Sequence, residues 1–374
     1  MSLRTPLTTL CALRHPLVCG PMANAAGGAL AAQVSLGGGL GFLGAGYFDA
    51  AKLAKELETA ASQLEAGSMQ KDAHGRLPVG VGFLAWRLSA IHGGKPAASS
   101  DVGDSSAARK LIDEALRPRP AALWLSFGDR EEMKVWAEVM RRREVELNGG
   151  DGKELKLFVG VGEEGEAQRA VEEVGCDVLV VQGCEAGGHG LGSSPPLHAL
   201  VPRMLSQLPQ WRASNPSGQT PVLLGAGGLS NGRSLAALLA LGAHGGVLGT
   251  RLLLTPEAAY SDAQKSVLLK ASSAETRRTM AFDEARNTLG WPTGVDGRGV
   301  VNATVHAYDK GEGDTASRQK RYKEAEAQGD EARIVTWAGT GVGLMTEIKP
   351  AKDVIEEVGR DAAEAVRELS GTLQ

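Results

Sequence analysis

The sequence predicts an α/β protein: one closed (β/α)8 barrel (a TIM barrel), with additional helical and loop insertions after its eighth strand. Three observations point there. Eight short apolar runs, most of them rich in glycine, recur along the chain. They are continuous rather than alternating, which is how strands covered by helices on both faces look. Amphipathic segments lie between them, giving the alternation of a barrel. The alternative, an open doubly wound sheet, is disfavoured because no early G-x-G-x-x-G with a downstream acid is present. At 374 residues the chain has room for a barrel, which takes roughly 250 residues.

The predicted strands, in order, are "HPLVCGPM" (15–22), "GLGFLGAGY" (39–47), "PVGVGFLAW" (78–86), "AALWLSFG" (121–128), "LKLFVGVG" (155–162), "CDVLVVQG" (176–183), "PVLLGAGG" (221–228) and "GGVLGTRLL" (245–253). The helix over 50–67 carries Leu53, Leu57 and Leu64 at helical spacing. Charged helices with one apolar stripe are expected over 131–146 and 163–175, and a helix capped by Ser230 and Asn231 over 230–243. Three segments fall outside the bare barrel. Residues 87–106 read as a polar, Gly/Ser-rich loop, 256–294 as helix with a loop, and the charged 309–333 as an exposed loop and helix. The expected division is therefore a barrel over 1–255 plus 335–374, with 256–334 a helical and loop insertion covering the barrel's active face.

Composition narrows the function. Hydrophobic residues make up 43% and charged residues 22%, as in a globular protein with a large core. A net charge of -4 provides no footprint for nucleic acid or a membrane surface. Aromatics at 4% leave no platform for stacking bases. No apolar run approaches the roughly 18 residues of a membrane span. Cys11, Cys19, Cys176 and Cys184 form no C-x-x-C pair and no zinc-like spacing, so reduced thiols, a cytoplasmic protein and no metal site are expected. No acidic residue precedes Asp49, a leader-like trait, but the first strand is expected to begin near His15.

Chemistry in such barrels gathers at the C-terminal strand ends. "GAGGLSNGR" after strand seven and "LGT" in the strand-eight run would offer backbone N–H groups and a helix N-terminus to a phosphate; tight turns alone are the plainer reading. "QGCEAGGHG" sets His189 just past strand six in a glycine-rich loop, where a histidine is suited to act as a base near neutrality. The other histidines, His15, His74, His92, His198, His244 and His306, are read as structural or exposed. Gln182 ends strand six with an amide that both donates and accepts, as a planar ring with alternating N–H and C=O groups requires. Glu185 is the one loop carboxylate there, and a solvated role is the more ordinary one. "PMANAAGG" after strand one suits the face of a planar ring, or simply turns into the first helix.

Four stretches, "PMANAAGGALAAQVSLGGGLGFLGAG", "VVQGCEAGGHG", "PVLLGAGGLSNGRSLAALLALGAHGGVLGTRLLLTPEA" and "WAGTGVGLMTEIKPAKDVIEEV", taken together resemble the nitronate monooxygenases, formerly the 2-nitropropane dioxygenases, and most closely their fungal-type members. The resemblance runs from residue 15 to about 360. It implies an FMN-dependent (β/α)8 oxidoreductase that oxidises alkyl nitronates, in some members nitroalkanes, with O2 to a carbonyl compound and nitrite. On that resemblance the flavin contacts fall on Met22, Ala23, Asn24, Gln182, Gly187 and Gly188, with the phosphate loops at Ala226, Gly227, Gly228, Gly249 and Thr250. Gly82 stands where some members have an asparagine, so one flavin hydrogen bond is in question there. His189 matches the active-site histidine that in some members removes the α-proton. The charged 309–333 segment is not part of the family pattern. A homodimer is compatible with all of this.

Two other functions fit less well. An NAD(P)H-dependent FMN reductase acting on quinones or enoyl thioesters needs a basic cluster for the dinucleotide, for which the sequence offers Arg87 and Lys95 after strand three. A non-catalytic flavin- or phosphate-binding module leaves the His189 loop without a purpose.

Overall fold

The computed structural model describes residues 3–150, 152–216 and 218–371. Eleven strands are present among them: β1 (Leu17–Cys19), β2 (Gly41–Gly44), β3 (Leu77–Leu84), β4 (Pro120–Ser126), β5 (Lys156–Val161), β6 (Val178–Gln182), β7 (Gly188–Leu191), β8 (Val222–Ala226), β9 (Gly246–Leu248), β10 (Thr276–Thr279) and β11 (Val295–Val300). Eight of them form a parallel sheet in the order β1-β9-β8-β6-β5-β4-β3-β2. A parallel bridge from Val18 to Leu40 joins its two ends, so the sheet curls into a barrel. Each of the eight expected apolar runs holds all or nearly all of one of these strands, β3 and β4 beginning one residue before their runs, and the expected strands seven and eight are β8 and β9.

The reason for continuous apolar runs is visible in β6. Val178 and Val180 point into the barrel interior with Phe42, Trp124 and Phe158. Leu179 and Val181 belong to the larger core between barrel and outer helices. Both faces of the strand are therefore dry. Leu7, on a short N-terminal helix (Pro6–Leu10), joins the interior cluster and is fully buried. No motif in residues 6–10 marks that role. The C-terminal helix (Ala351–Ser370) packs on the helices Gly232–Ala240 and Gly28–Leu36 through Val354, Ile355 and Val358.

The structure departs from expectation at four places. Part of the 87–106 loop belongs to a helix, Ala85–His92, ended by Gly93 in the left-handed region at φ 101°. Val102 and Ser106 from this segment are buried. The "EAGGHG" loop is in part a strand: β7 pairs antiparallel with β11, placing His189 opposite Gly297. The insertion 256–334, expected as helices and loops, also contributes β10 and β11, which with β7 make a second, three-stranded sheet. Finally, the charged 309–333 segment is not merely exposed. Its helix (Thr315–Gln328) buries Ala325, buries Tyr322 in a small cluster with Phe282, and packs on the helix Ala281–Arg286. Arg318 and Gln319 hold Glu284 of that helix by its carboxylate and its carbonyl.

Candidate functional site

A cavity opens at the C-terminal ends of the barrel strands, as expected for this architecture. Met22, Ala23 and Asn24 line it after β1, and Asn24 adopts a left-handed conformation at φ 58°. Gln182, Gly187, Gly188 and His189 line it from β6 and β7, and Ala226, Gly227, Gly228, Gly249 and Thr250 from the β8 and β9 ends. Gly82 is the exception among the residues singled out from sequence. It is buried below the cavity, and a Cβ there would collide with Pro21, so its role in the structure is to let that turn sit close.

The β8–β9 corner has the features of an anion cradle. Gly227 and Gly228 hold φ values of 133° and 69°, which glycine adopts without strain. Among the described residues, the N–H groups of Gly227, Gly228 and Gly249 donate to no protein acceptor. A Cβ on Gly249 would meet only Met22 Sδ at 3.9 Å and would project into open space. The helix that follows β8 does not take part as expected, because Asn231 caps it internally by accepting from Ser234 N–H at 3.0 Å. The glycine amides remain as free donors. Thr250 Oγ1 accepts from Gly339 N–H at 3.0 Å and ties the 337–341 segment to this corner. A phosphate fits such a cradle.

His189 lines the same cavity. Its Nε2 lies 2.9 Å from both carboxylate oxygens of Asp283, which is fully buried. Asp283 also accepts from Thr288 Oγ1 at 2.9 Å and Trp291 Nε1 at 3.2 Å. A carboxylate holding this many donors fixes Nε2 as the N–H of the ring and leaves Nδ1 as its free lone pair. The ring stacks on Trp291, centroids 3.7 Å apart at 10°, and meets the edge of Trp337 at 4.9 Å. Gly297, across the strand pair, makes room for Trp337: a Cβ there would lie 2.5 Å from its ring. Gln182 Nε2 donates to the His189 carbonyl at 2.9 Å, locking the β7 backbone to the end of β6.

Several of these residues carried no signal in the sequence. Asp283 sits in an ordinary amphipathic stretch, "AFDEAR", 94 positions from its partner. Tyr47, Trp124, Tyr260, Arg286, Trp291 and Trp337 also line the cavity. Three of the six tryptophans in an aromatic-poor chain thus meet here, a concentration that only the fold reveals. Glu185 is neither solvated nor free: its Oε1 accepts from Leu197 N–H at 2.9 Å at the start of the helix Leu197–Trp211. Two other histidines are held in structural contacts. His92 Nδ1 bonds Ser106 Oγ at 2.9 Å, and His244 Nδ1 accepts from Leu223 N–H at 3.0 Å.

A family model described as nitronate monooxygenase matches residues 157–361, more than half of the chain and spanning the His189 strand, the glycine cradle and the insertion. The chain belongs to the nitronate monooxygenase family. It is 31% identical over 369 residues to the nitronate monooxygenase npaC of Metarhizium robertsii, covering 94% of this chain and 92% of that one. It is 29% identical over 364 residues to a nitronate monooxygenase of Neurospora crassa, covering 94% and 90%. Among solved structures, a nitroalkane oxidase from Streptomyces ansochromogenes matches with a TM-score of 0.69 and 25% identity over 97% of this chain and 99% of that one. FabK from Thermotoga maritima shares the fold, with a TM-score of 0.72, 24% identity and full coverage of both chains. This nitronate monooxygenase family member is therefore an oxidoreductase of the barrel class, and its family acts on small nitronates. Among the described residues no helix is long and apolar enough to cross a membrane, and no group of metal-ligating side chains gathers.

Proposed function

We propose that this protein binds FMN and oxidises small alkyl nitronates with O2 to a carbonyl compound and nitrite, with His189 as the base for neutral nitroalkanes. The observation that carries this reading is that one cavity is lined both by the glycine amides of Gly227, Gly228 and Gly249 and by His189, which Asp283 holds. The residues fit the cofactor. Gly227, Gly228, Gly249 and Thr250 would hold its phosphate, and Met22, Ala23, Asn24, Gln182, Gly187 and Gly188 would border its ring. Bound there, FMN supplies the reversible electron acceptor between the nitronate and O2.

The chain's own residues do the rest. Trp291 and Trp337 flank the histidine and keep its ring in one orientation. Asp283 holds the proton on Nε2, so Nδ1 accepts the α-proton of a neutral nitroalkane, an assistance of about 10²–10⁴-fold for a well-placed base. The resulting imidazolium is balanced at once by Asp283. A preformed nitronate needs no such step. The reductase alternative is weakened at the two cations the sequence offers it: Lys95 is paired with Asp129 at 2.7 Å and Glu131 at 3.6 Å, and Arg87 lies over the Tyr47 ring.

The test is the visible spectrum of the purified protein, followed by anaerobic mixing with a nitronate, NADH and NADPH in turn. FMN released by heat and bleached by the nitronate supports the reading. A protein that takes up no FMN, or whose flavin is bleached rapidly only by a pyridine nucleotide, overturns it.

A further inference from the structure

His189 and Arg286 are the two basic side chains that line the cavity, and among the described residues no Asp, Glu or Lys lines it. The imidazolium that His189 forms is already matched by Asp283, so that pair adds no net positive charge. Arg286 is different. It is half-buried at the end of the helix Ala281–Arg286, one turn from Asp283, and no ion pair or side-chain hydrogen bond holds its guanidinium among the described residues. Burial, with Asp283, pushes the Tyr47 phenol above its ordinary value and burial does the same to Tyr260, while Arg286 pulls both the other way. The guanidinium thus acts on two tyrosines that line the same cavity. Tyr260 Oη also accepts from the Trp337 backbone N–H at 3.1 Å, and the Trp337 ring meets the His189 ring at 4.9 Å.

A partly desolvated cation without a partner is unfavourable for the free protein unless an anion arrives to meet it. A guanidinium presents a planar fork of donors that matches a planar group with two oxygens, such as a nitronate. We infer that Arg286 is the residue that holds the anionic substrate, binding its two nitronate oxygens and selecting the anion over the neutral nitroalkane. The inference rests on the proposed function for the identity of the substrate, and on the cavity alone for its charge. A cation in the last turn of a helix also interacts favourably with the helix dipole, and that plainer role is separable by experiment.

The test uses the FMN-loaded protein and the variants Arg286→Gln and Arg286→Lys. The nitronate and neutral forms of one nitroalkane are compared in steady-state kinetics. Nitrate, a planar anion that cannot be oxidised, is titrated by calorimetry. Arg286→Gln is expected to raise the nitronate KM by roughly 10- to 100-fold and to weaken nitrate to a similar degree, the loss usual for a charge-assisted bond. The KM for the neutral form should stay within about twofold, because its ground state carries no charge. Arg286→Lys should recover part of both losses. An unchanged nitronate KM and nitrate affinity in Arg286→Gln overturns the assignment, even if the melting temperature falls. Loss of FMN from that variant also overturns it, placing the guanidinium on the cofactor. If the wild-type protein turns over no nitronate, the functional reading fails, and the nitrate titration still decides whether Arg286 is an anion site.

Discussion

His189 and Asp283, 94 positions apart, are joined by an Nε2–carboxylate pair with both oxygens at 2.9 Å. The carboxylate belongs to the insertion and the histidine to a strand that leaves the barrel. The carboxylate dictates which nitrogen of the histidine carries the proton.

Asp283→Asn tests that dependence. An amide cannot replace the carboxylate as acceptor for Nε2–H, Trp291 and Thr288 together, and it favours the other tautomer. Turnover of a neutral nitroalkane should fall by roughly 10²-fold or more, as tautomer loss does in a comparable His–Asp pair. Oxidation of the preformed nitronate should fall much less. Steady-state kinetics on both forms measure it, and equal losses would show that Asp283 supports the whole site instead. Asp283→Ala should in addition lower the melting temperature, since each buried donor left unpaired costs about 1–3 kcal/mol.

Gly228→Val probes the cradle. The residue sits at φ 69°, and its Cβ would lie 3.3 Å from Glu185 Cβ. Strain of about 1–3 kcal/mol is expected, together with a branched side chain beside the free amides. The variant should fold by circular dichroism and lose FMN. Unchanged FMN affinity, measured by fluorescence titration, would move the phosphate elsewhere.

Tyr322→Ala tests the helix Thr315–Gln328 as a support. Tyr322 is 2% exposed, packs in the cluster with Phe282, and its hydroxyl accepts from Val335 N–H. Removing a large buried ring should cost about 3–5 kcal/mol. It lies outside the cavity lining, so the expected signature is a lower melting temperature with a selective loss on neutral nitroalkane. A stable variant with full activity would return this segment to the exposed role its composition suggests.

Acid should weaken the fold through His15 and His244, both held below the ordinary histidine value chiefly by burial. Their folded forms resist protonation, so the unfolded chain binds more protons as the pH falls. Stability is thus full above about pH 6.5 and declines as the pH drops below it. His244→Asn keeps an acceptor for Leu223 N–H without a titrating group. Melting curves between pH 7 and pH 5 should show a shallower decline for that variant. A parallel decline would assign the acid sensitivity to other groups.

The barrel was legible because its physics is local. Strands dry on both faces must be continuously apolar, and glycine is needed where backbone approaches a ligand, as at Gly227 and Gly228. The second sheet was not. β7 reads "GHGL", β10 "TRRT" and β11 "VDGRGV", short segments dominated by glycine and charged residues with β-branched residues only at their ends. Their order comes from pairing across a separation of about 100 residues, and from Arg278, which donates to the Gly190 carbonyl and binds Asp296. His189 was legible as a residue in an unusual loop. Asp283, Trp291 and Arg286 were not, since each becomes distinctive only when the fold brings it to His189 or to the cavity.

The central claim is that His189 is a base fixed by Asp283, in a flavin site that oxidises nitronates. The most direct measurement is kcat/KM of His189→Asn for the neutral and anionic forms of one nitroalkane, with FMN content matched to the wild type. The account predicts a loss of roughly 10²-fold or more on the neutral form and a small loss on the nitronate. Equal losses on both forms, or none on either, would contradict it.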